Sequence, residues 1–174
     1  MITRKGDWIQ TFTGRQFWPL DPRPEEVSIE DIAHALAHTC RFGGHSEVFY
    51  SVGQHSLIVS ELCSPEHRLE GLLHDATEAY CGDMVQPLKR FMPEFQKAEE
   101  TLYRCIAQKF GLPPIIDEEV KHFDKVALMT EHRDLLKKPP ASWGYVHIRP
   151  LDAHIYPLDA RAAESEFLYR FSRL

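Results

Sequence analysis

Apolar residues recur three and four positions apart along much of this chain, between residues that start and stop helices. Ile29, Ile32, Ala33, Leu36 and Ala37 form the stripe of a first helix, Ser28 to Cys40. Ser28 is placed to cap it, Asp31 sits at the N3 position, and Glu30 and Asp31 suit the positive end of its dipole. Ser51 caps a second helix, Val52 to Cys63, in which Val52, Val59 and Leu62 recur at helical spacing and His55 falls on the same stripe. Ser64-Pro65 stops it and starts a third, with Ser64 as N-cap and Pro65 at the first helical position, ending near Cys81-Gly82. Phe95, Ala98, Leu102, Cys105, Ile106 and Phe110 mark a helix from Glu94 to Phe110, closed by Gly111. Pro113-Pro114 separates it from a long helix, Asp117 to Lys138, that carries Val120, Phe123, Ala127, Leu128 and Leu135. A last helix, Asp159 to Leu174, contains Phe167, Leu168 and Phe171.

The remainder is extended or irregular. Residues 1–27 form an arm in which Trp8, Ile9, Phe12, Phe17 and Trp18 flank Thr13-Gly14, a hairpin turn signal, before Pro22-Arg23-Pro24 forbids regular structure. So much aromatic surface must pack on the domain, cover a site or join subunits. The tail, 139–174, opens with a loop and a short strand, Tyr145 to Ile148, before the last helix. Within it H-I-R-P-L-D-A (147–153) is followed directly by H-I-Y-P-L-D-A (154–160); Pro150 and Pro157 exclude a continuous helix, so the period of seven is not a coiled coil. The sum is an all-α fold, a bundle of six or seven helices with a short N-terminal hairpin arm, in one domain spanning 1–174.

Composition narrows the function classes. A net charge of −6 argues against a broad nucleic-acid surface, which needs clustered Lys and Arg, while leaving room for a small basic pocket. No apolar run approaches the roughly 18 residues of a membrane span, and no signal peptide opens the chain. Cys40, Cys63, Cys81 and Cys105 lack C-x-x-C spacing and read as free, reduced thiols, which points to the cytoplasm. Ten histidines favour metal chemistry without locating it.

Chemistry concentrates in Leu72 to Lys89. His74 and Asp75 lie side by side on an apolar helix, about 100° apart, and so border one cavity. Glu78 follows one turn later and projects from the same side; Asp83 and Lys89 lie in a segment broken by Gly82 and Pro87. Imidazole and carboxylate bind divalent ions, and a catalytic site needs ligands converging from several elements. His55 and Asp124 supply the missing two: both sit in helices where the stripe expects no polar group, and a shared metal accounts for the cost of burying them. Lys121, one turn before Asp124, is available for an anion. His34 and His38 are spaced as a helical metal pair but lack the intervening Glu of H-E-x-x-H, and are read as packing or supporting residues.

The order H (His55), H-D (His74-Asp75), D (Asp124) resembles the HD-domain metal-dependent phosphohydrolases. The surrounding V-G-Q-H-S-L (52–57), L-L-H-D-A-T-E-A-Y-C-G-D (72–83), P-L-K (87–89) and V-K-H-F-D (120–124) look like the bacterial 5′-deoxynucleotidase branch, whose relatives include deoxynucleoside triphosphate hydrolases. R-F-G-G-H (41–45) resembles the loop that meets substrate there. The resemblance runs from about Arg41 to Leu136. It implies an HD-type helical bundle in which His55, His74, Asp75 and Asp124 hold one divalent ion (Mn, Co, Zn, Fe or Ni). It further implies Glu78 as catalytic carboxylate with Asp83 beside it, and Arg41, Lys89 and Lys121 on the substrate phosphates. Pro87 joins the substrate positions, and Phe42 stands where the nucleotidase has a Trp near the sugar. His34, His38 or His45 would be needed for a second ion at that centre.

The expected function is therefore hydrolysis of a deoxynucleotide, either 5′-phosphate removal from a monophosphate or triphosphate release from a dNTP, by a protein that self-associates and has no nucleic-acid or membrane partner. An alarmone or cyclic-nucleotide hydrolase would share the same four ligands. A non-catalytic metal-binding or oligomerisation module would have no use for both Glu78 and Asp83.

Overall fold

A computed structural model describes residues 4–145 and 147–174. Its organising element is the Val52–Leu62 helix, α2, which packs against Ile29–His38 (α1), Arg68–Leu73 (α3), Glu118–Leu135 (α7) and Ala160–Phe171 (α8). Two single turns, Glu78–Cys81 (α4) and Gln86–Lys89 (α5), and the long Pro93–Phe110 helix (α6) complete an all-α architecture. The expected six or seven helices correspond to the six elements longer than one turn, among the described residues. No described helix is long and apolar enough to cross a membrane.

Close approach to α2 is made possible by small residues. A side chain at Gly53 would sit 3.1 Å from the backbone of Ala37 in α1, and one at Gly71 would sit 3.1 Å from the Ser60 Cα and 3.0 Å from the Cys63 Sγ. Both helices therefore lie backbone against backbone on α2. That explains how α2 buries Gln54, His55, Ser56 and Ser60 as well as Val52, Leu57 and Val59. The main core fills the space between Ile32 and Leu36 of α1, Leu72 and Leu73 of α3, Leu102 and Ile106 of α6, and Phe167 of α8.

Helix ends follow the sequence reading with four differences. Ser64 does not cap the third helix: its hydroxyl donates to Glu119, Pro65 opens a separate 3₁₀ turn, Pro65–His67, and α3 starts at Arg68. Ser51, Asp117 and Asp159 cap α2, α7 and α8 by accepting backbone N–H bonds from Gln54, Glu119 and Ala162, and Gly111 ends α6 in the left-handed region at φ +71°. Ser28 sits at the N-cap of α1 but donates its hydroxyl to Glu30, and Asp31 faces the arm instead of completing a capping box. The third helix is not continuous to Cys81: between α3 and α4 the bonds Ala76 N–Leu73 O and Glu78 N–Asp75 O close turns of three residues, tightening the chain where His74 and Asp75 stand. Finally, α7 stops at Leu135 rather than Lys138, because Leu136 is extended and the Leu135 carbonyl accepts from Glu47 of the 41–50 loop.

The arm is a hairpin, Ile9–Gln10 (β1) against Gln16–Phe17 (β2), with Gly14 at φ +81° in its turn. It packs on its own chain: Phe17 is fully buried and stacks on Tyr80 at 3.9 Å, while Asp31 accepts from the Thr13 amide at 2.7 Å and its hydroxyl at 3.0 Å. In the tail, the expected Tyr145–Ile148 strand is replaced by a turn closed by Ile148 N donating to Tyr145 O at 2.9 Å; Val146 lies outside the described residues. The repeated heptapeptide runs as an irregular strap along α7 and α2. Leu151 N bonds the Thr130 hydroxyl, Ile155 N bonds Asp134, and the Gln54 side chain brackets Tyr156 O and Leu158 N as a strand partner would.

Because a methyl group at Gly71 would meet the Ser60 backbone as well as the Cys63 Sγ, Gly71→Ala must push α3 off α2. We expect a loss of about 1–3 kcal/mol in urea unfolding. A divalent-ion affinity that falls with it would show that α2–α3 spacing sets the distance between His55 and His74; unchanged stability would refute the close-packing account.

Candidate metal centre

Three helices bring four donor side chains to one point. His55 comes from the first turn of α2, His74 and Asp75 from the tightened turn after α3, and Asp124 from the middle of α7. The His55 Nε2 lies 3.3 Å from the His74 Nε2, 3.2 Å from an Asp124 oxygen and 3.7 Å from an Asp75 oxygen, which is itself 3.3 Å from the His74 Nε2. Ligand atoms around one ion with bonds of roughly 2.0–2.2 Å stand about this far apart.

The imidazoles are oriented for the purpose. His74 Nδ1 lies 2.8 Å from the Gly71 carbonyl, and His55 Nδ1 lies 2.6 Å from a Glu131 oxygen. Each Nδ1 therefore carries the proton and donates it, leaving both Nε2 atoms to face each other as lone-pair acceptors. Two lone pairs at that separation repel unless a positive charge, a proton or a metal ion, lies between them. Burial and Arg41 lower the His55 proton affinity, yet Glu131 and Asp124 carry it up to about 9, so the site draws positive charge strongly. Burial raises Asp75, but His74 and His55 hold it well below the carboxylate range; Asp124 is lowered against burial by its bond to His55. Two imidazoles and two ionised carboxylates suit a divalent first-row ion. His55 is fully buried, while the side chains of Asp75 and Asp124 remain 22% and 38% exposed, so the approach from solvent is on the carboxylate side.

Glu131 carries no obvious sequence signal of importance, yet its carboxylate is fully buried and joins three elements. It accepts from the Tyr50 hydroxyl at 2.9 Å and the Arg41 Nε at 2.9 Å, as well as from His55. Its position two helical turns after Asp124, on the same face of α7, was the available clue. Arg41 differs from its expected role. Its side chain is 12% exposed; the guanidinium bonds Glu131 and lies 3.5 Å from Asp75 and 3.7 Å from Asp124, so it balances the charge of the centre rather than standing free for a phosphate.

Glu78 is 8% exposed and its Oε2 makes no hydrogen bond. Burial, followed by the charges of Asp75 and Asp83, raises its proton affinity well above the carboxylate range. Asp83 is raised as well, first by burial. Beside these groups a cleft of about 550 Å³ is lined by His74, Asp75, Lys89, Gln96, Glu99, Tyr103, Arg104, Ile115 and Lys121. Lys89 and Lys121 line this cleft, though Lys89 is paired with Glu99 at 2.5 Å and Lys121 with Glu118 at 2.7 Å. Phe42 adopts φ +58°, with the Arg41 guanidinium 5.4 Å from its ring and the Trp143 ring 6.2 Å away. Pro87 is exposed at the start of α5 and is not among the cleft residues; its fixed φ starts that turn.

No family model matches the chain. It is 39% identical to the uncharacterized protein YfdR of Escherichia coli K12 over 169 residues, 96% of this chain and 95% of that one. The chain belongs to the YfdR family. An uncharacterized protein of Rhodobacter capsulatus is 36% identical over 133 residues, 71% of this chain and 68% of its own.

Burial pushes Glu131 up, but Arg41 and His55 hold it down at about 2. The unfolded value is about 4.3, so its contribution to stability is complete above that and is lost as pH falls towards 2. Glu131→Gln should therefore destabilise the fold at neutral pH by about 3–5 kcal/mol and flatten the acid limb of stability between about pH 4.5 and 2.5, followed by urea unfolding. Mn²⁺ affinity should drop about 10–100-fold in calorimetry, since the partner that orients His55 loses its negative charge. An unchanged affinity would mean that Glu131 only packs.

Proposed function

We propose that this protein is a metal-dependent phosphohydrolase acting on deoxynucleotides in the manner of the HD-domain 5′-deoxynucleotidases. The observation that carries the reading is Glu78: a buried carboxyl with an oxygen lacking any partner, close enough to Asp75 of the donor set for its charge to act on it. A fold gains nothing in stability from such a group, whereas a reaction needs it. The motifs around His55, His74-Asp75 and Asp124 support the same family reading.

His55, His74, Asp75 and Asp124 would hold the ion, Mn, Co, Zn, Fe or Ni by donor type. Bound there, it supplies Lewis acidity towards a phosphoryl oxygen and lowers the pKa of water. The protein's own groups do the rest. In either candidate reaction the bond broken joins phosphorus to the 5′-oxygen, and that oxygen leaves poorly unless it is protonated. Glu78, kept protonated by burial, is suited to donate that proton. Asp83, close enough for its charge to act on Glu78, helps hold the proton there. Lys89 and Lys121 neutralise the phosphate, and Tyr103 with Ile115 gives the cleft an apolar side for the nucleoside. A volume of about 550 Å³ falls within the range of small-molecule sites. Arg41 and Lys89 already have carboxylate partners, which leaves little spare positive charge and favours a monophosphate over a triphosphate.

Chromatography of each dNMP and dNTP after incubation with Mn²⁺ or Co²⁺ tests this, with nucleoside plus phosphate from dNMPs the expected product. Nucleoside plus triphosphate would shift the substrate to dNTPs, and no turnover of any nucleotide would end the reading. Glu78→Gln should lower kcat by about 10²–10⁴-fold with metal content unchanged. The wild-type kcat should fall as pH rises through the elevated Glu78 value, a limb that the variant should lack.

A further inference from the structure

We propose that the chain carries a second metal-binding site, built by His34 and His38 of α1 and Glu164 of α8, independent of the centre at His55. The two histidines are one turn apart and their rings lie side by side, centroids 4.1 Å apart and 29° from parallel. One donor atom from each of the three residues lies within 4.8 Å of the other two. His34 Nδ1 stands 3.1 Å from a Glu164 oxygen, close to the roughly 3.3 Å that separates two ligands of one tetrahedral ion.

The tautomer of His38 is set for coordination. Its Nδ1 lies 2.8 Å from the His34 carbonyl and donates its proton there, so Nε2 is left as a lone-pair donor. His34 is held from its other side by the hairpin arm, whose Phe12 lies flat on the imidazole at 3.6 Å and 7°. That stacking leaves the ring little freedom to turn from Glu164, so less ordering is needed when an ion arrives. His38 is exposed and the other two residues are partly so, which makes the site open to solvent without any rearrangement. Two imidazoles and one carboxylate with a coordination position left for water select late first-row ions such as Zn²⁺, Ni²⁺ or Cu²⁺. An ion held here would fasten the C-terminal helix to α1 beneath the arm. The competing account is an ordinary His34–Glu164 ion pair, in which His38 has no part.

The test is calorimetric titration of chelator-stripped protein with Zn²⁺. Because His38 is exposed, His38→Ala is not expected to disturb folding. The variant should bind one ion fewer than the wild type, and Glu164→Gln should weaken that same ion at least tenfold. Phosphate release in the presence of Mn²⁺, where the wild type shows it, should be unaltered in His38→Ala. Equal stoichiometry in wild type and His38→Ala would overturn the site. A wild type binding one ion and a variant binding none would uphold it while removing the centre at His55, so the two readings fail separately.

Discussion

A carboxylate sealed inside the protein is tolerable only if its charge is met from several directions, and Glu131 meets that condition with an arginine, a tyrosine and a histidine drawn from the 41–50 loop and α2. The constraint works in both directions. Arg41 can be largely buried because Glu131 receives it, and His55 can be buried because Glu131 takes its Nδ1 proton. With that arrangement in place, the second nitrogen of His55 has one possible heading, towards His74 and Asp124. The candidate metal centre is thus the outward-facing half of a charge network whose inward half holds the loop, α2 and α7 together.

The helical framework was legible because its signals are local. Ser51, Asp117 and Asp159 cap the helices they precede, and Gly111 closes α6 in the only backbone region that favours glycine so clearly. His55 and Asp124 stood out as polar residues on positions the periodicity reserves for burial. What could not be read were choices between partners distant in sequence. Ser28 and Asp31 form a reasonable capping box, but the arm offers Asp31 two bonds from Thr13, a competitor that exists only after the hairpin docks. Glu131 sits in a polar run, Thr130-Glu131-His132-Arg133, that reads as a solvated face, and only the packing of α7 on α2 buries it. Arg41 followed from the same omission: without Glu131 in view, its charge could only be assigned to a substrate.

The repeated heptapeptide shows how one sequence serves two surroundings. The first copy lies along α7, where Arg133 binds the carbonyls of Leu151 and Ala153; the second passes to α2, where Gln54 holds Tyr156 and Leu158. Gln54 is the neighbour of His55, so the strap and the candidate metal centre share a helix turn. The prolines keep both copies out of a helix and leave their backbone groups for side chains to bind.

The dispersal of the four donors has a thermodynamic consequence. His55, His74-Asp75 and Asp124 come from three helices, and an unfolded chain cannot assemble them cheaply. An ion at this centre is therefore a ligand of the native state alone, and its chemical potential enters the folding equilibrium directly. At a free concentration one hundred times its dissociation constant it deepens the native well by about 2.7 kcal/mol. The supply of such an ion would then help determine how much of the chain is folded.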